Sequence, residues 1–144
     1  MKKPKKSTVK ARLWKLVSRY IRTKYLRHDG YIECVCCGSH NLYSDTDAGH
    51  FIPKSRGNSI YFVEENIHPQ CQKCNRFDEG NKTQYTLFMI DNYGREKVEE
   101  LEALSRTRLK LTVADLLDLE REFKAKLDGL QEMNGERWLE TGKP

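Results

Sequence analysis

The chain has 144 residues, 38% of them hydrophobic and 33% charged, with a net charge of +5. That length suits one domain with helical extensions, and so thin a supply of apolar side chains calls for a staple besides the core. No apolar run approaches the roughly 18 residues of a membrane span, and none follows the basic first six residues as a secretory signal requires, so an intracellular protein with metal-binding cysteines is expected.

Residues 1–7 are Lys-rich with nothing to bury and are predicted to be a disordered basic tail. Ser7 or Thr8 is predicted to cap a helix over 8–28, with Leu13, Leu16, Val17, Tyr20, Ile21 and Tyr25 as its buried stripe. Every charged residue from Lys2 to Arg27 is basic, eleven in all, and the first acid is Asp29. A one-signed helix points to a polyanion. Nucleic acid is preferred over a solvated tail or a membrane surface, with Lys15, Arg19 and Arg22 as its contacts. Asp29 and Gly30 stop the helix.

Residues 31–80 carry the Gly, Asn and Pro punctuation, all five cysteines and short β-prone runs at 31–34, 48–52 and 60–63. A short helix is predicted from Cys74 or Asn75 to about Gly80. Helices follow over about 83–93, stopped by Gly94, and over about 95–106. A last helix starts at Thr112, where Thr112-Val113-Ala114-Asp115 reads as a capping box with Asp in place of Glu. Its stripe of Leu116, Leu117, Leu119, Phe123 and Leu127 reads as core first and as a dimer seam second. Residues 134–144 are expected to form a flexible tail, which leaves one domain over 8–133.

Cys34 and Cys37 form one CxxC, and Cys71 and Cys74 another. Four thiolates complete the coordination of tetrahedral zinc and leave no position open for chemistry, so a structural zinc is expected. Cys36 lies inside the first pair and reads as a bystander, with Cys34–Cys36 as the alternative ligand pair.

His50, in Gly49-His50-Phe51-Ile52-Pro53, is the candidate general base, since imidazole is suited to take a proton from water near neutral pH. Asn66 could hydrogen-bond across the loop to hold that imidazole. Asn75, following the last cysteine, could ligate a hard cation such as Mg²⁺ or Mn²⁺. Glu79, one helical turn on, and Asp47, displaced from Gly49 by about 6.6 Å of strand, are the next carboxylate ligands, ahead of Asp45 and Asp78. Lys54, Arg56 and Arg76 are candidate phosphate contacts. For His68, a ligand and a buried structural histidine are both open; His28 and His40 read as surface residues.

His50, Asn66 and Asn75 in this order, with CxxC pairs on both sides of His50, resemble the HNH pattern and the phage junction resolvase endonuclease VII. The segments Gly49-His50-Phe51-Ile52-Pro53 and Asn66-x-His68-Pro69-Gln70-Cys71-x-x-Cys74-Asn75 are most similar to the NinG (Rap) recombination nucleases of lambda-like phages. The likeness covers roughly residues 10–125. It implies an α+β, mostly α fold: a treble-clef-like ββα-metal zinc core between the basic helix and the C-terminal helices. It further implies a phage or prophage DNA endonuclease acting on branched DNA in the host cytoplasm, as a homodimer, with zinc for structure and Mg²⁺ or Mn²⁺ for chemistry. Gly49 departs from the pattern, because HNH enzymes usually carry an acidic or His ligand there. Two other readings stay open: a non-catalytic zinc-finger DNA-binding protein, and a four-cysteine module that binds proteins.

Overall fold

The computed structural model describes residues 2–141, with the side chains described as far as 133. Helix α1 (Lys6–Lys24) starts two residues early and ends four short of the expected 28. Its N-cap is Lys5 without a side-chain cap, so Ser7 and Thr8 lie inside the first turn rather than capping it. Val9, Leu13, Val17, Tyr20 and Ile21 form the buried face, while Leu16 and Tyr25 are only partly covered.

Strands β1 (Tyr31–Glu33) and β2 (His40–Leu42) form a short antiparallel hairpin. β3 (Thr46–His50) pairs antiparallel with β4 (Ile67–Cys71), setting Gly49 opposite His68 and His50 opposite Ile67. The strand expected over 60–63 is absent: Asn58–Tyr61 is a single helical turn, α2, followed by a 3₁₀ turn over Glu64–Asn66. Ile, Tyr, Phe and Val suit a strand locally, but packing decides here. Gly57 at φ 118° turns the chain, and Asn66 draws the returning segment in through its side chain. After β4, one wide π-type turn (Lys73–Phe77) replaces the expected α-helix. Glu79, Gly80 and Asn81 then run left-handed at φ 51°, 82° and 48°, which reverses the chain into α3 (Lys82–Tyr93).

α4 (Arg95–Ser105) follows Gly94, and α5 (Val113–Thr141) is the last element among the described residues. The capping box forms: Thr112 N–H donates to Asp115 Oδ2 at 2.8 Å, and Asp115 N–H to Thr112 Oγ1 at 3.1 Å. α5 continues as helix to Thr141, past residue 133 where a loose tail was expected; residues 142–144, and Met1 of the basic tail, lie outside the described residues. Leu116, Phe123 and Leu127 are buried against α1. The stripe is therefore core within one chain. A second cluster surrounds the cysteines and includes Phe51, Ile52, Ile60, Tyr85, Met89 and Leu101.

Glu64 ties these layers together. Its carboxylate accepts from Tyr20 Oη at 3.0 Å and from Lys24 Nζ on α1 and Lys126 Nζ on α5, each at 2.9 Å. Burial alone would raise this carboxyl, but Lys126 and Lys24 outweigh it and bring its pKa from 4.5 down to about 2. A depressed carboxyl stabilises the fold above its unfolded pKa, and that stability is lost as pH falls toward the folded value. Glu64→Gln is expected to cost about 1 kcal/mol at neutral pH, the pair being partly solvated. Urea unfolding across pH should show the gap closing between 4.5 and about 2. A gap that persists unchanged through that window would mean the lost stability is packing, not charge.

Candidate functional site

The Sγ atoms of Cys34, Cys37, Cys71 and Cys74 all lie within 4.8 Å of one another. Zinc–sulfur bonds of about 2.3 Å place tetrahedral sulfurs about 3.8 Å apart, and Cys37 and Cys71 stand at 3.7 Å. The two pairs meet because Cys34 leaves β1 while Cys71 ends β4, and Val35 N–H donates to Pro69 O at 3.1 Å to join the two segments. Cys74 N–H reaches Cys71 Sγ and Asn81 Nδ2 reaches Cys74 Sγ, both at 3.4 Å. Such donors favour thiolates over thiols. The tetrad could hold a metal ion such as zinc. Cys36 is outside it, accepting instead from Gln70 Nε2 at 3.2 Å.

His50, the last residue of β3, opens onto a cleft of about 670 Å³ lined by Trp14, Asp47, Asn75 and Arg76, among others. Trp14 from α1 stacks on the imidazole at 4.8 Å, and Tyr61 meets it edge-on at 5.3 Å. His50 Nε2 lies 2.9 Å from the Tyr61 carbonyl oxygen. A carbonyl only accepts, so Nε2 carries the proton and Nδ1 keeps a free lone pair. Burial holds the His50 pKa below 6.5, with Tyr61 opposing and Lys54 adding to the effect.

Asn66 hydrogen-bonds across the loop as expected, and reaches the backbone rather than the imidazole itself. It is fully buried, accepts from Ile52 N–H at 2.8 Å and donates to Ile52 O at 3.0 Å and Ile60 O at 3.2 Å. It fixes the loop after His50 to the residue before Tyr61, and so sets the imidazole through its carbonyl partner.

Asn75 and Asp47 meet without a bulge. Asn75 Nδ2 donates to Asp47 Oδ2 at 2.9 Å. Arg76 closes a two-pronged pair on the same carboxylate, Nε at 2.8 Å and Nη2 at 2.9 Å. Burial works to raise the Asp47 pKa, but Arg76 and Asn75 win and lower it. Both Asp47 oxygens are thus engaged by side chains, and the link to Asn75 turns its Oδ1 the other way. Glu79 lines the cleft but shares no helical face with Asn75, because the turn ends at Phe77. Asp45 and Asp78 are exposed and outside the cleft lining. A side chain at Gly49 would need Gln70 to move: a Cβ there would stand 1.7 Å from Gln70 Oε1.

Arg22, Lys54 and Arg76 line the cleft; Lys15, Arg19 and Arg56 are exposed beyond it. His68 is buried between Tyr85 Oη at 2.9 Å and Tyr93 Oη at 2.8 Å. Tyr85 donates to Gly49 O at 2.8 Å, so it accepts from His68 Nδ1, and Nε2 accepts from Tyr93. Burial pushes the His68 pKa down to about 3. His68 is therefore a neutral post that steadies Gly49, not a cleft residue. His28 and His40 are exposed. Sequence reasoning missed Trp14, the Tyr61 carbonyl, and Lys82, whose Nζ donates to Phe51 O at 2.9 Å at the cleft wall. A tryptophan in the middle of the basic helix was the available signal for the first.

A family model described as Bacteriophage Lambda NinG protein matches residues 1–133. The protein ninG of Escherichia phage lambda is 30% identical over 120 residues, covering 83% of this chain and 56% of that protein. The protein ninG of Salmonella phage P22 is 29% identical over the same share of each. The chain thus spans 56% of the length of these relatives, and no helix among the described residues is long and apolar enough to cross a membrane. No solved structure matches. By the family match and these relatives together, the chain belongs to the NinG family of phage proteins.

Proposed function

We propose that the chain is a metal-dependent DNA endonuclease of the HNH, or ββα-metal, type, selective for branched DNA such as Holliday junctions and D-loops. The observation that carries the reading is His50. Its Nε2 is committed to a backbone carbonyl at 2.9 Å, and its Nδ1 is left with a lone pair in a cleft that also holds Asn75. On this reading β3 and β4 are the two strands of the ββα unit, with the π-type turn Lys73–Phe77 in the place of its helix, and the β1–β2 hairpin with its cysteines is the rest of a treble-clef-like zinc core. The four thiols leave no open coordination position, so zinc acts on structure alone.

In this reading His50 Nδ1 takes a proton from water as the oxygen attacks phosphorus. The bond from phosphorus to the 3′-oxygen breaks, and that oxygen takes a proton from solvent, giving 5′-phosphate and 3′-hydroxyl ends. Arg22, Lys54 and Lys82 hold the anionic backbone over the cleft. The donor chemistry fits a hard cation, because Asp47 fixes the amide of Asn75 through its nitrogen and leaves the oxygen beside Gly49. When bound at Asn75, with Glu79 or Asp47 as further candidate ligands, Mg²⁺ or Mn²⁺ would offset charge on the scissile phosphate. Junctions have two-fold symmetry, so paired cuts favour a homodimer, and a phage or prophage enzyme of this kind works in the host cytoplasm.

A second reading, a zinc-bearing DNA-binding protein without catalysis, draws on one observation: the space beside Gly49 is taken by Gln70, and Asp47 is engaged by Arg76 and Asn75. Cleavage of labelled four-way junction, linear duplex and single strand in Mg²⁺ or Mn²⁺ decides between them. Junction-selective nicking that EDTA stops is expected. Tight junction binding with no cutting in either metal would sink the nuclease reading and favour the second.

A further inference from the structure

Gln70 is fully buried on β4, opposite Asp47. Its Nε2 donates to Gly80 O at 2.9 Å and to Cys36 Sγ at 3.2 Å. Its Oε1 is buried with no hydrogen-bond partner among the described residues. The amide cannot be turned around to relieve this, since the flipped oxygen would face the Gly80 carbonyl. Oε1 lies 1.7 Å from where a Cβ on Gly49 would stand, and Asn75 Oδ1 lies 3.0 Å from the same point. Asn75 is likewise fixed, because its Nδ2 is held by Asp47. Two amide oxygens, one of them orphaned, thus converge beside the position where HNH enzymes carry their acid. A buried acceptor oxygen without a donor, brought to one point with a second acceptor oxygen, calls for a positive centre.

We infer that Gln70 Oε1, buried behind the cleft wall, and Asn75 Oδ1, on that wall, together hold a divalent cation beside Gly49, with the glutamine oxygen taking the place of the acid that Gly49 lacks. Gly49 is then a requirement of the site, since only a residue without Cβ lets Gln70 reach across from the neighbouring strand. The inference rests on the endonuclease reading for the cation's purpose but not for its detection.

The test is binding of Mn²⁺ alone to the zinc-loaded protein, by calorimetry and by the Mn²⁺-induced shift in melting temperature. One Mn²⁺ beyond the zinc is expected. Gln70→Leu should weaken it by about tenfold or more, and Gln70→Glu should tighten it by about tenfold, as ligand charge rises. A purely structural glutamine gives a different pattern: Gln70→Glu then lowers stability without gaining Mn²⁺ affinity. Should Gln70→Leu fail to fold, Gly49→Ala carries the test, because its methyl displaces Oε1. Equal Mn²⁺ affinity in the wild type and in folded Gln70 or Gly49 variants, or no second metal in the wild type, overturns the assignment. Junction cutting measured in parallel separates the two ideas. Gln70-dependent Mn²⁺ binding without cutting keeps the site and removes the nuclease. Cutting with Mn²⁺ affinity indifferent to Gln70 does the reverse.

Discussion

His50→Ala is expected to slow junction cleavage by about 10²–10⁴-fold, the usual contribution of a positioned general base, with junction affinity unchanged. Affinity should hold because the phosphate contacts proposed above, Arg22, Lys54 and Lys82, line the cleft without bonding to the imidazole. The same geometry fixes a pH profile. Burial lowers the His50 pKa below 6.5, so the imidazole keeps its lone pair to lower pH than a free histidine does. The midpoint of the acidic limb of the wild-type rate should therefore lie below 6.5. Trp14 contributes to that burial by stacking on the ring at 4.8 Å. Trp14→Ala should move the acidic limb upward toward 6.5 while folding survives, since Trp14 packs at the edge of its core cluster. A folded His50→Ala protein with undiminished cutting would remove His50 as the base. An acidic limb above 6.5 would point to another titrating group.

Periodicity and spacing carried much of this architecture. The stripe of α1, the Gly94 break and the Thr112–Asp115 cap are local signals, and the structure holds each of them. The two CxxC pairs were legible because thiol spacing is a covalent constraint, and the four sulfurs do converge. What failed was set by contacts distant in sequence. Residues 60–63 have strand-forming side chains, yet the Asn66 amide, bonding to Ile52 and Ile60, holds them in turns. Glu79 was placed on a helix that the left-handed run at Glu79, Gly80 and Asn81 ends. Asn66 does bond across the loop as read from the sequence, and the Tyr61 carbonyl is the group that contacts the imidazole. No sequence pattern announces a backbone carbonyl as a partner. Gln70 was passed over for a related reason, since its meaning lies in the empty volume at Gly49 on the neighbouring strand.

Removing the metal is expected to do more damage than any single core substitution. Cys34, Cys71 and Cys74 are themselves members of the second core cluster, beside Phe51, Ile52, Tyr85 and Met89. The strands there are only three to five residues long, in two separate two-stranded sheets, so backbone pairing alone holds little. Structural zinc in small domains contributes about 10–16 kcal/mol in apparent binding energy, comparable to or larger than the whole stability of a domain, about 5–15 kcal/mol. Chelation, or Cys71→Ser, should therefore release residues 31–105 to rapid hydrogen exchange. The α1–α5 pairing should keep more protection, because Val9, Leu13, Val17, Leu116, Phe123 and Leu127 belong to the other cluster. Cys36→Ser is the control: its sulfur accepts from Gln70 Nε2 and lies outside the tetrad, so one zinc per chain and a near wild-type melt are expected. Zinc content by atomic absorption, paired with melting curves, reads both variants. If Cys71→Ser kept its zinc and its stability while Cys36→Ser lost both, the ligand pair would be Cys34–Cys36 and the tetrad assignment would fall. If neither mattered, no metal would hold this fold. The cleft would then owe its shape to the β3–β4 pairing, the Asn66 staple and the Tyr85–His68–Tyr93 chain, the last of which ties β4 to α3.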